Sequence, residues 1–271
     1  MPAAQTVLSQ GSFLHLETGE FVVVAAEAGF DAVAVWRQAP GYRGTRAMAK
    51  AAARAGVRVD TLCRGGFLGR AGHNETVRVL EEAAELGAGV LVVIAGPPRP
   101  ADSRAAEADL DAALELALPA AERAGVVVAL EPFHPVLAAD RSWLVTLAQA
   151  VDVVERFDSP FLGVAVDSYH LWWDPRLAAG LDRAGRRIAA VQLADWVVPE
   201  PSRLPSRGLP GEGVVPLREF VRLTREAGYA GALEIEVLGD RFRSLSPLEA
   251  ARSLKTALDD TAVGAEEGSH A

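Results

Sequence analysis

The sequence predicts an α/β protein, a single-domain (β/α)8 TIM barrel in which parallel strands alternate with helices. Three observations lead to this fold class. Eight short apolar runs recur along the chain, and segments with helical spacing lie between them. The 271 residues also give about 34 residues to each strand–helix unit, the usual spacing in such barrels.

The apolar runs are continuous rather than alternating, which is typical of strands whose two faces are both covered, as in a parallel sheet. Each run therefore predicts one barrel strand. In chain order the runs are TVLS from Thr6, DAVAVW from Asp31, VRVDTL from Val57, GVLVVIAG from Gly89, VVVALE from Val126, LGVAVD from Leu162, IAAVQL from Ile188 and ALEIEVL from Ala232.

The segments between the runs place their apolar residues on one stripe, as amphipathic helices do. Two such stripes are Leu110, Leu114 and Leu118, and Leu144, Leu147, Val151 and Val154.

Several helix ends are also marked in the sequence. Asp174 before Pro175 predicts an N-cap followed by proline at the first helical position. The SPLE segment from Ser246 to Glu249 predicts a capping box. Gly125 and Gly228 follow helical segments and suit helix C-termini.

A doubly wound open sheet is the competing arrangement. That arrangement would require a G-x-G-x-x-G loop after the first strand, and the segment LSQGSFLHLETGE lacks this pattern. We assign residues 1–260 to the barrel and residues 261–271 to a frayed C-terminal tail. The longest irregular stretch, about Trp196 to Pro216 with five prolines, is predicted to be a lid or binding loop.

The composition excludes several classes of protein. The formal net charge is −9, whereas a nucleic-acid groove needs clustered Lys and Arg, so we expect no nucleic-acid partner. No segment approaches the roughly 20 apolar residues of a membrane span, and MPAAQTVLSQ at the N-terminus has no leader of signal type. Cys63 is the single cysteine, so neither a disulfide nor a Cys-based zinc site can form within one chain. We expect a cytoplasmic protein with a small-molecule ligand.

Polar residues close or interrupt four of the late strands, at the barrel end where active sites of this fold form. The fifth run ends in Glu131, the sixth ends in Asp167, and the seventh contains Gln192. The eighth contains Glu234 and Glu236, two residues apart and hence on one face. Carboxylates that converge in this way raise one another's pKa unless a cation lies among them. The oxygen-rich set favours a divalent ion such as Mn²⁺ or Mg²⁺.

These residues also have structural interpretations. Asp167 could cap the turn that follows its strand. Glu234 could be a solvated or ion-paired side chain, so we prefer Glu236, nearer the strand end, as the ligand. His134 and His170 taken singly are as consistent with hydrogen-bonded packing as with function.

The two adjacent tryptophans and the other histidines also have structural interpretations. Trp172 and Trp173 are typical of a core or a subunit contact, although the ring of one of them could line a binding site for a sugar. His15 and His73 are assigned structural roles, and His270 in the tail is discounted.

Six motifs spread over essentially the whole chain together resemble the sugar phosphate isomerase/epimerase family of the xylose isomerase-like barrels. The resemblance does not select a substrate, because this scaffold hosts ketose epimerases, aldose–ketose isomerases and inosose dehydratases. The motifs are TLCRGGF at Thr61–Phe67, LEPFHP at Leu130–Pro135, DSYHLWWDP at Asp167–Pro175, VQLADW at Val191–Trp196, RGLPGEG at Arg207–Gly213 and EIEV at Glu234–Val237.

The resemblance implies one divalent metal ion, held by Glu131, Asp167, Gln192 and Glu236. Many relatives carry histidine at the position of Gln192. A glutamine offers a carbonyl oxygen, a weaker ligand than imidazole for transition metals. We therefore expect Mn²⁺ or Mg²⁺, with zinc and cobalt as alternatives, and a lowered metal affinity.

The resemblance also implies residues that contact the substrate. His170 and Arg207 would reach substrate oxygens, with His134 and Trp173 as further candidates for substrate binding. The PGEG backbone would lie beside the site. Relatives are often oligomers, so a homo-oligomer is compatible with the resemblance.

The expected activity is isomerisation or epimerisation of a sugar or sugar-like hydroxy-ketone through a metal-stabilised enediolate. Glu131 and Glu236 would serve as base and acid. Loss of a β-hydroxyl from the same intermediate would make the protein an inosose-type dehydratase. A metal-dependent endonuclease of the same superfamily is disfavoured by the acidic charge and by only five histidines. A non-catalytic barrel whose metal site has decayed at Gln192 is the third class.

Overall fold

A computed structural model of the chain describes residues 5–68, 73–98, 103–197, 206–239, 242 and 244–267. Eight parallel strands close into a barrel, which confirms the predicted fold and each of the eight predicted strands. The barrel strands are β1 (Thr6–Ser9), β2 (Ala32–Trp36), β3 (Arg58–Phe67), β4 (Val90–Ile94), β5 (Val127–Leu130), β6 (Leu162–Asp167), β7 (Ile188–Leu193) and β10 (Leu233–Ile235).

The strands follow chain order around the barrel, and β10 closes it by pairing with both β7 and β1. Two further strands, β8 (Asp195–Val197) and β9 (Ser206–Gly208), form an antiparallel pair outside the barrel. This pair lies within the stretch predicted as an irregular loop, which is therefore partly a hairpin. Residues 198–205 of that stretch lie outside the described residues.

Helices surround the barrel, with short 3₁₀ helices at Gln10–Phe13, Pro135–Leu137 and Gly185–Arg187. Among these described helices, none combines the length and the hydropathy that a membrane crossing requires. The α-helices are α1 (Thr18–Glu27), α2 (Thr45–Ala55), α3 (His73–Leu86), α4 (Ser103–Ala124), α5 (Leu147–Phe157), α6 (Ser168–Leu171), α7 (Leu177–Ala184), α8 (Leu217–Glu226) and α9 (Pro247–Glu267).

Most of the predicted helix ends agree with the structure. Ser246 and Glu249 form the capping box, with the Ser246 backbone N–H donating to Glu249 Oε2 at 3.0 Å and the Glu249 N–H donating to Ser246 Oγ at 3.3 Å. Gly125 and Gly228 follow α4 and α8 with φ of 67° and 101°, values that favour glycine.

Two helix boundaries differ from the prediction. Helix α7 begins at Leu177 rather than at Pro175, because the side chain of Asp174 caps a preceding turn by accepting the Arg176 N–H at 2.9 Å. Helix α9 extends to Glu267, so residues 261–267, predicted as the start of a frayed tail, are helical. The end of α9 packs on α8, since a Cβ placed at Gly264 would lie 2.6 Å from Arg218 Nε. Residues 268–271 lie outside the described residues.

Small side chains occupy the interior of the barrel. One buried cluster on β3 to β7 consists of Cys63, Val92, Ala129, Ala165 and Ala190. The larger apolar core lies between the strands and the helices. Because the interior residues are small, buried polar side chains fit above them at the carboxyl ends of the strands.

Candidate functional site

The structure brings most of the predicted site residues together at the carboxyl ends of β5, β6, β7 and β10. The six residues that share this buried position are Glu131, Asp167, His170, Gln192, Arg207 and Glu236, each at most 6% exposed. The two others, His134 and Trp173, are half-buried beside them. Glu234 is 2% exposed, so it is not the solvated side chain considered above.

Arg207 supplies a positive charge to the carboxylates. Its Nη2 lies 2.8 Å from Asp167 Oδ2, and its Nη1 lies 3.2 Å from Glu236 Oε2. The guanidinium also lies over the ring of Tyr169, with 4.5 Å between its carbon and the ring centroid. A buried carboxylate needs such a partner, because an unpaired charge in the interior is costly.

The protonation of the carboxylates follows from burial and from their neighbours. Burial raises the pKa of Glu131 well above its usual range, and the charges of Asp167 and Glu236 raise it further. Burial also raises the pKa of Asp167 and of Glu236, and the charge of Arg207 opposes the increase for all three carboxyl groups. Without a bound ion, burial therefore favours the protonated form of these carboxyl groups, and Arg207 favours the ionised form.

His170 is a neutral imidazole in this setting. Burial lowers its pKa well below the usual value, and the charge of Arg207 lowers it further. Its Nδ1 accepts a hydrogen bond of 3.3 Å from the backbone N–H of His134, and Arg207 Nη2, which can only donate, lies 3.4 Å from its Nε2. This Nε2 lies 3.7 Å from Glu131 Oε1 and 3.8 Å from Asp167 Oδ2.

The donor set fits a divalent cation. Ligand atoms of Glu131, Asp167 and His170 all lie within 4.8 Å of one another. Glu236 is not part of this group, and Arg207 connects it to Asp167. The Oε1 atom of Gln192 is buried and has no hydrogen-bond donor in the described part of the chain. A buried carbonyl oxygen without a donor suits a cation ligand, because a cation would satisfy its lone pairs.

Glu236 is held by two residues that we did not predict. Ser9 Oγ donates to Glu236 Oε1 at 3.1 Å, and Trp36 Nε1 donates to the same oxygen at 3.0 Å. Ser9 and Trp36 end β1 and β2, so the rule that selected Glu131 and Asp167 by their place at a strand end would also have found them. Glu236 is thus held through both oxygens, since Arg207 Nη1 lies 3.2 Å from Oε2.

Asp195 is a third residue that the sequence prediction missed. Its carboxylate accepts the backbone N–H groups of Gly211, Gly213 and Val215 at 3.0, 2.8 and 2.9 Å. A Cβ at Gly213 would lie 2.2 Å from the carbonyl oxygen of Trp196, so only glycine allows this approach. Asp195 thus joins the PGEG loop to the hairpin that carries Arg207.

Aromatic side chains line the rim beside Arg207. The ring of Trp196 lies 4.7 Å from that of Tyr169 and 4.5 Å from that of His134. The ring of Trp173 meets that of His134 edge-on at 5.7 Å, and its Nε1 donates to the carbonyl oxygen of His170 at 2.9 Å. Such a wall can pack against the C–H face of a carbon ring.

A closed parallel barrel with buried carboxylates at the carboxyl ends of its strands defines a TIM barrel whose candidate site lies at the end where active sites of this fold form. The chain belongs to the xylose isomerase-like TIM barrel family, whose model matches residues 22–259. The resemblance to the sugar phosphate isomerase/epimerase family is thereby confirmed.

Individual relatives agree with this assignment. A protein of Sinorhizobium meliloti 1021 with a crystal structure is 33% identical, with a TM-score of 0.84 over 94% of this chain and 96% of that one. The IolI protein, whose crystal structure has a bound zinc atom, shares the fold at 19% identity, with a TM-score of 0.80 over 95% and 98% of the two chains.

A curated relative matches part of the chain. The 3-dehydroshikimate dehydratase of Pseudomonas aeruginosa is 40% identical over 107 residues, which are 36% of this chain and 16% of that protein. The match thus spans about a sixth of the relative's length.

Proposed function

We propose that the protein is a divalent-metal-dependent isomerase or epimerase of a sugar or sugar-like hydroxy-ketone. The observation that carries this proposal is the placement of two buried carboxyl groups, Glu131 after β5 and Glu236 after β10, with β6 and β7 between them. A ligand bound among these strands would have a proton acceptor on one side and a proton donor on the other. That arrangement suits the removal of a proton from one face of a carbon atom and its return to another position.

The residues that would hold the ion are Glu131, Asp167, Gln192 and Glu236. When bound, the ion supplies a Lewis acid that polarises a carbonyl group and makes the neighbouring C–H group more acidic. Mn²⁺ or Mg²⁺ suits the oxygen donors, and zinc is an alternative because the IolI structure holds it in the same fold.

The side chains of the protein have separate roles in proton transfer and in substrate binding. Glu236 takes the proton on Oε2, which faces Arg207 Nη1 at 3.2 Å, because Ser9 and Trp36 both donate to Oε1. Glu131, which follows β5 with β6 and β7 between it and Glu236, returns a proton. His170 and Arg207 donate to substrate oxygens, while His134 and Trp173 contact the body of the substrate.

Solvent deuterium tests the proposal without presuming a product. The metal-loaded protein is incubated in D₂O with a panel of ketoses and inososes, and incorporation at carbon is followed by NMR and mass spectrometry. We expect incorporation into at least one substrate and none with Glu236→Gln. No exchange with any polyhydroxylated ketone would contradict the isomerase proposal.

Metal analysis separates this proposal from a non-catalytic barrel. The protein is purified without chelators and its metal content is compared with that of a chelator-stripped sample. We expect about one equivalent of a divalent ion in the first sample. Failure of both samples to retain or rebind an ion would favour a decayed site.

Dehydration is the second candidate, and the partial match to 3-dehydroshikimate dehydratase favours it. The same proton removal next to a carbonyl group, followed by loss of a β-hydroxyl, releases water. Incubation with 3-dehydroshikimate and detection of the product by mass spectrometry tests this candidate. Loss of one water would assign dehydration, and deuterium exchange without such loss would assign isomerisation or epimerisation.

A further inference from the structure

Glu234 is a buried carboxyl group that the proposed mechanism does not use. It lies on β10 and is 2% exposed. Its Oε2 accepts a hydrogen bond from Thr61 Oγ1 at 3.2 Å, and its Oε1 accepts one from Gln192 Nε2 at 3.1 Å. Both oxygens are therefore engaged by side chains from other strands.

Glu234 belongs to a row of three polar side chains across neighbouring strands. In the barrel register Asp167 on β6 pairs with Gln192 on β7, and Gln192 pairs with Glu234 on β10. Side chains at paired positions of parallel strands point to the same face of the sheet. The amide of Gln192 thus lies between two carboxyl groups.

The orientation of this amide decides what it can bind. A primary amide has one end that accepts hydrogen bonds and can ligate a cation, and one end that only donates. If Nε2 faced Asp167, the amide could not offer its oxygen to a shared cation. In the structure Nε2 donates to Glu234, and Oε1 is left buried with no donor among the described residues.

Asp167 and Glu234 would otherwise compete for the amide N–H group. Asp167 already has a strong partner in Arg207 at 2.8 Å and accepts the Tyr169 N–H at 2.8 Å. Glu234 has no cation within ion-pair distance among the described residues, so its oxygen is the acceptor that the amide can satisfy. Thr61 fixes the other oxygen of Glu234 and holds the acceptor in place.

We propose that Glu234 is a positioning residue, which holds the side chain of Gln192 so that its amide oxygen is free to bind the divalent ion. The inference rests on the proposed function, because it assigns a partner to one of the proposed metal ligands. It explains how a glutamine serves at this position, since a flexible neutral amide becomes a fixed oxygen donor. Hydrogen-bond partners of metal ligands commonly have this role.

A double-mutant cycle on Mn²⁺ binding tests the coupling between the two residues. The full chain is stripped of metal, and free Mn²⁺ is titrated by electron paramagnetic resonance, a measurement that does not depend on activity. The variants are Glu234→Met, Gln192→Met and the double variant, with Glu234→Gln as the matched control that retains a carbonyl acceptor. Circular dichroism confirms that each variant is folded.

We expect Glu234→Met to raise the dissociation constant for Mn²⁺ roughly tenfold, the usual loss for a hydrogen-bond partner of a ligand. Glu234→Gln should stay within about twofold of the wild type. In the Gln192→Met background, Glu234→Met should add less than about twofold, because the residue through which it acts is already gone. If Glu234→Met does not fold, Thr61→Val in the two backgrounds gives the same comparison.

The outcomes separate this inference from the proposed function. Unchanged Mn²⁺ binding in Glu234→Met, while the wild type binds the ion, would overturn the positioning role and leave the metal site standing. An equal loss in both backgrounds would also overturn it, because Glu234 would then act independently of Gln192. No Mn²⁺ binding by the wild type would overturn both.

Discussion

Arg207 and Asp167 form a buried ion pair, with 2.8 Å between Nη2 and Oδ2, and neither side chain is more than 6% exposed. The pair joins an element outside the barrel to the end of a barrel strand, since Arg207 lies on β9 and Asp167 ends β6. The second guanidinium nitrogen reaches Glu236, so one side chain spans two of the proposed metal ligands.

Removal of this guanidinium should destabilise the metal-stripped protein. We expect Arg207→Met to lower the free energy of unfolding by about 3 kcal/mol, because breaking a buried pair leaves Asp167 without its partner. The free energy of unfolding of Arg207→Lys should lie between those of the wild type and Arg207→Met, since a single ammonium group cannot span both carboxylates. Urea denaturation in EDTA measures the change. The exposed pairs of Arg183 with Glu155 and Asp152 provide a control, and Arg183→Met should leave stability nearly unchanged. Equal stability of Arg207→Met and wild type would contradict this assignment of the compensating charge.

The hydrogen bond from Trp36 to Glu236 should matter for catalysis. Trp36→Phe removes the indole donor while Ser9 remains, and bonds to charged groups contribute about 1.5 to 3 kcal/mol. We therefore expect the rate of solvent deuterium exchange to fall at least about tenfold, with a smaller change in KM. Trp143→Phe is the matched control, because Trp143 Nε1 is buried without an acceptor in the part of the chain described here. Similar losses in the two variants would point to general packing instead.

Asp195 should determine the order of the loop beside Arg207. Asp195→Asn replaces one acceptor oxygen with a donor that faces backbone N–H groups, so the three loop hydrogen bonds cannot all form. We expect faster hydrogen exchange in residues 209–216, measured by mass spectrometry, with the barrel strands unchanged. Glu212→Gln removes the charge from an exposed side chain that accepts the Leu209 N–H, and should have a smaller effect. Unchanged exchange in Asp195→Asn would show that the loop is held by other contacts.

Glu234 should make stability depend on pH. Burial, with the nearby charge of Glu236, raises the pKa of Glu234 from 4.5 to about 8. Because the folded-state pKa is the higher one, the stabilising contribution is complete below the unfolded pKa. It falls as the pH rises from about 4.5 to about 8, where the unfolded chain has lost a proton that the folded chain retains.

The variant Glu234→Gln lacks this titration, so the wild type should lose stability relative to it across that pH range and show a constant difference at higher pH. Urea denaturation at a series of pH values in EDTA gives the comparison. Glu115→Gln, on the exposed face of α4, should follow the wild-type profile. A pH-independent difference between wild type and Glu234→Gln would contradict the raised pKa.

The barrel was predictable because continuous apolar runs mark its strands and helical spacing marks the segments between them. The site was predictable because this fold places its active site at the carboxyl ends of the strands. Glu131 and Asp167 satisfied both criteria. The role of Asp195 was not predictable, since it depends on where three backbone N–H groups of a later loop fold back. The C-terminal extent of α9 was not predicted, because its last residues are small and polar, a composition that is typical of a frayed tail. Packing nevertheless buries Ala265.

The hairpin of β8 and β9 carries the positive charge that lies against the buried carboxylates. The carboxylates are attached to the closed ring of strands, whereas the guanidinium opposite them is attached to a small separate sheet. The hydrogen-bonded ring consists of eight other strands, so the compensating charge lies on a part of the chain outside that ring. Substitutions in the hairpin can therefore change the charge balance of the site while the strand pairing of the barrel is kept.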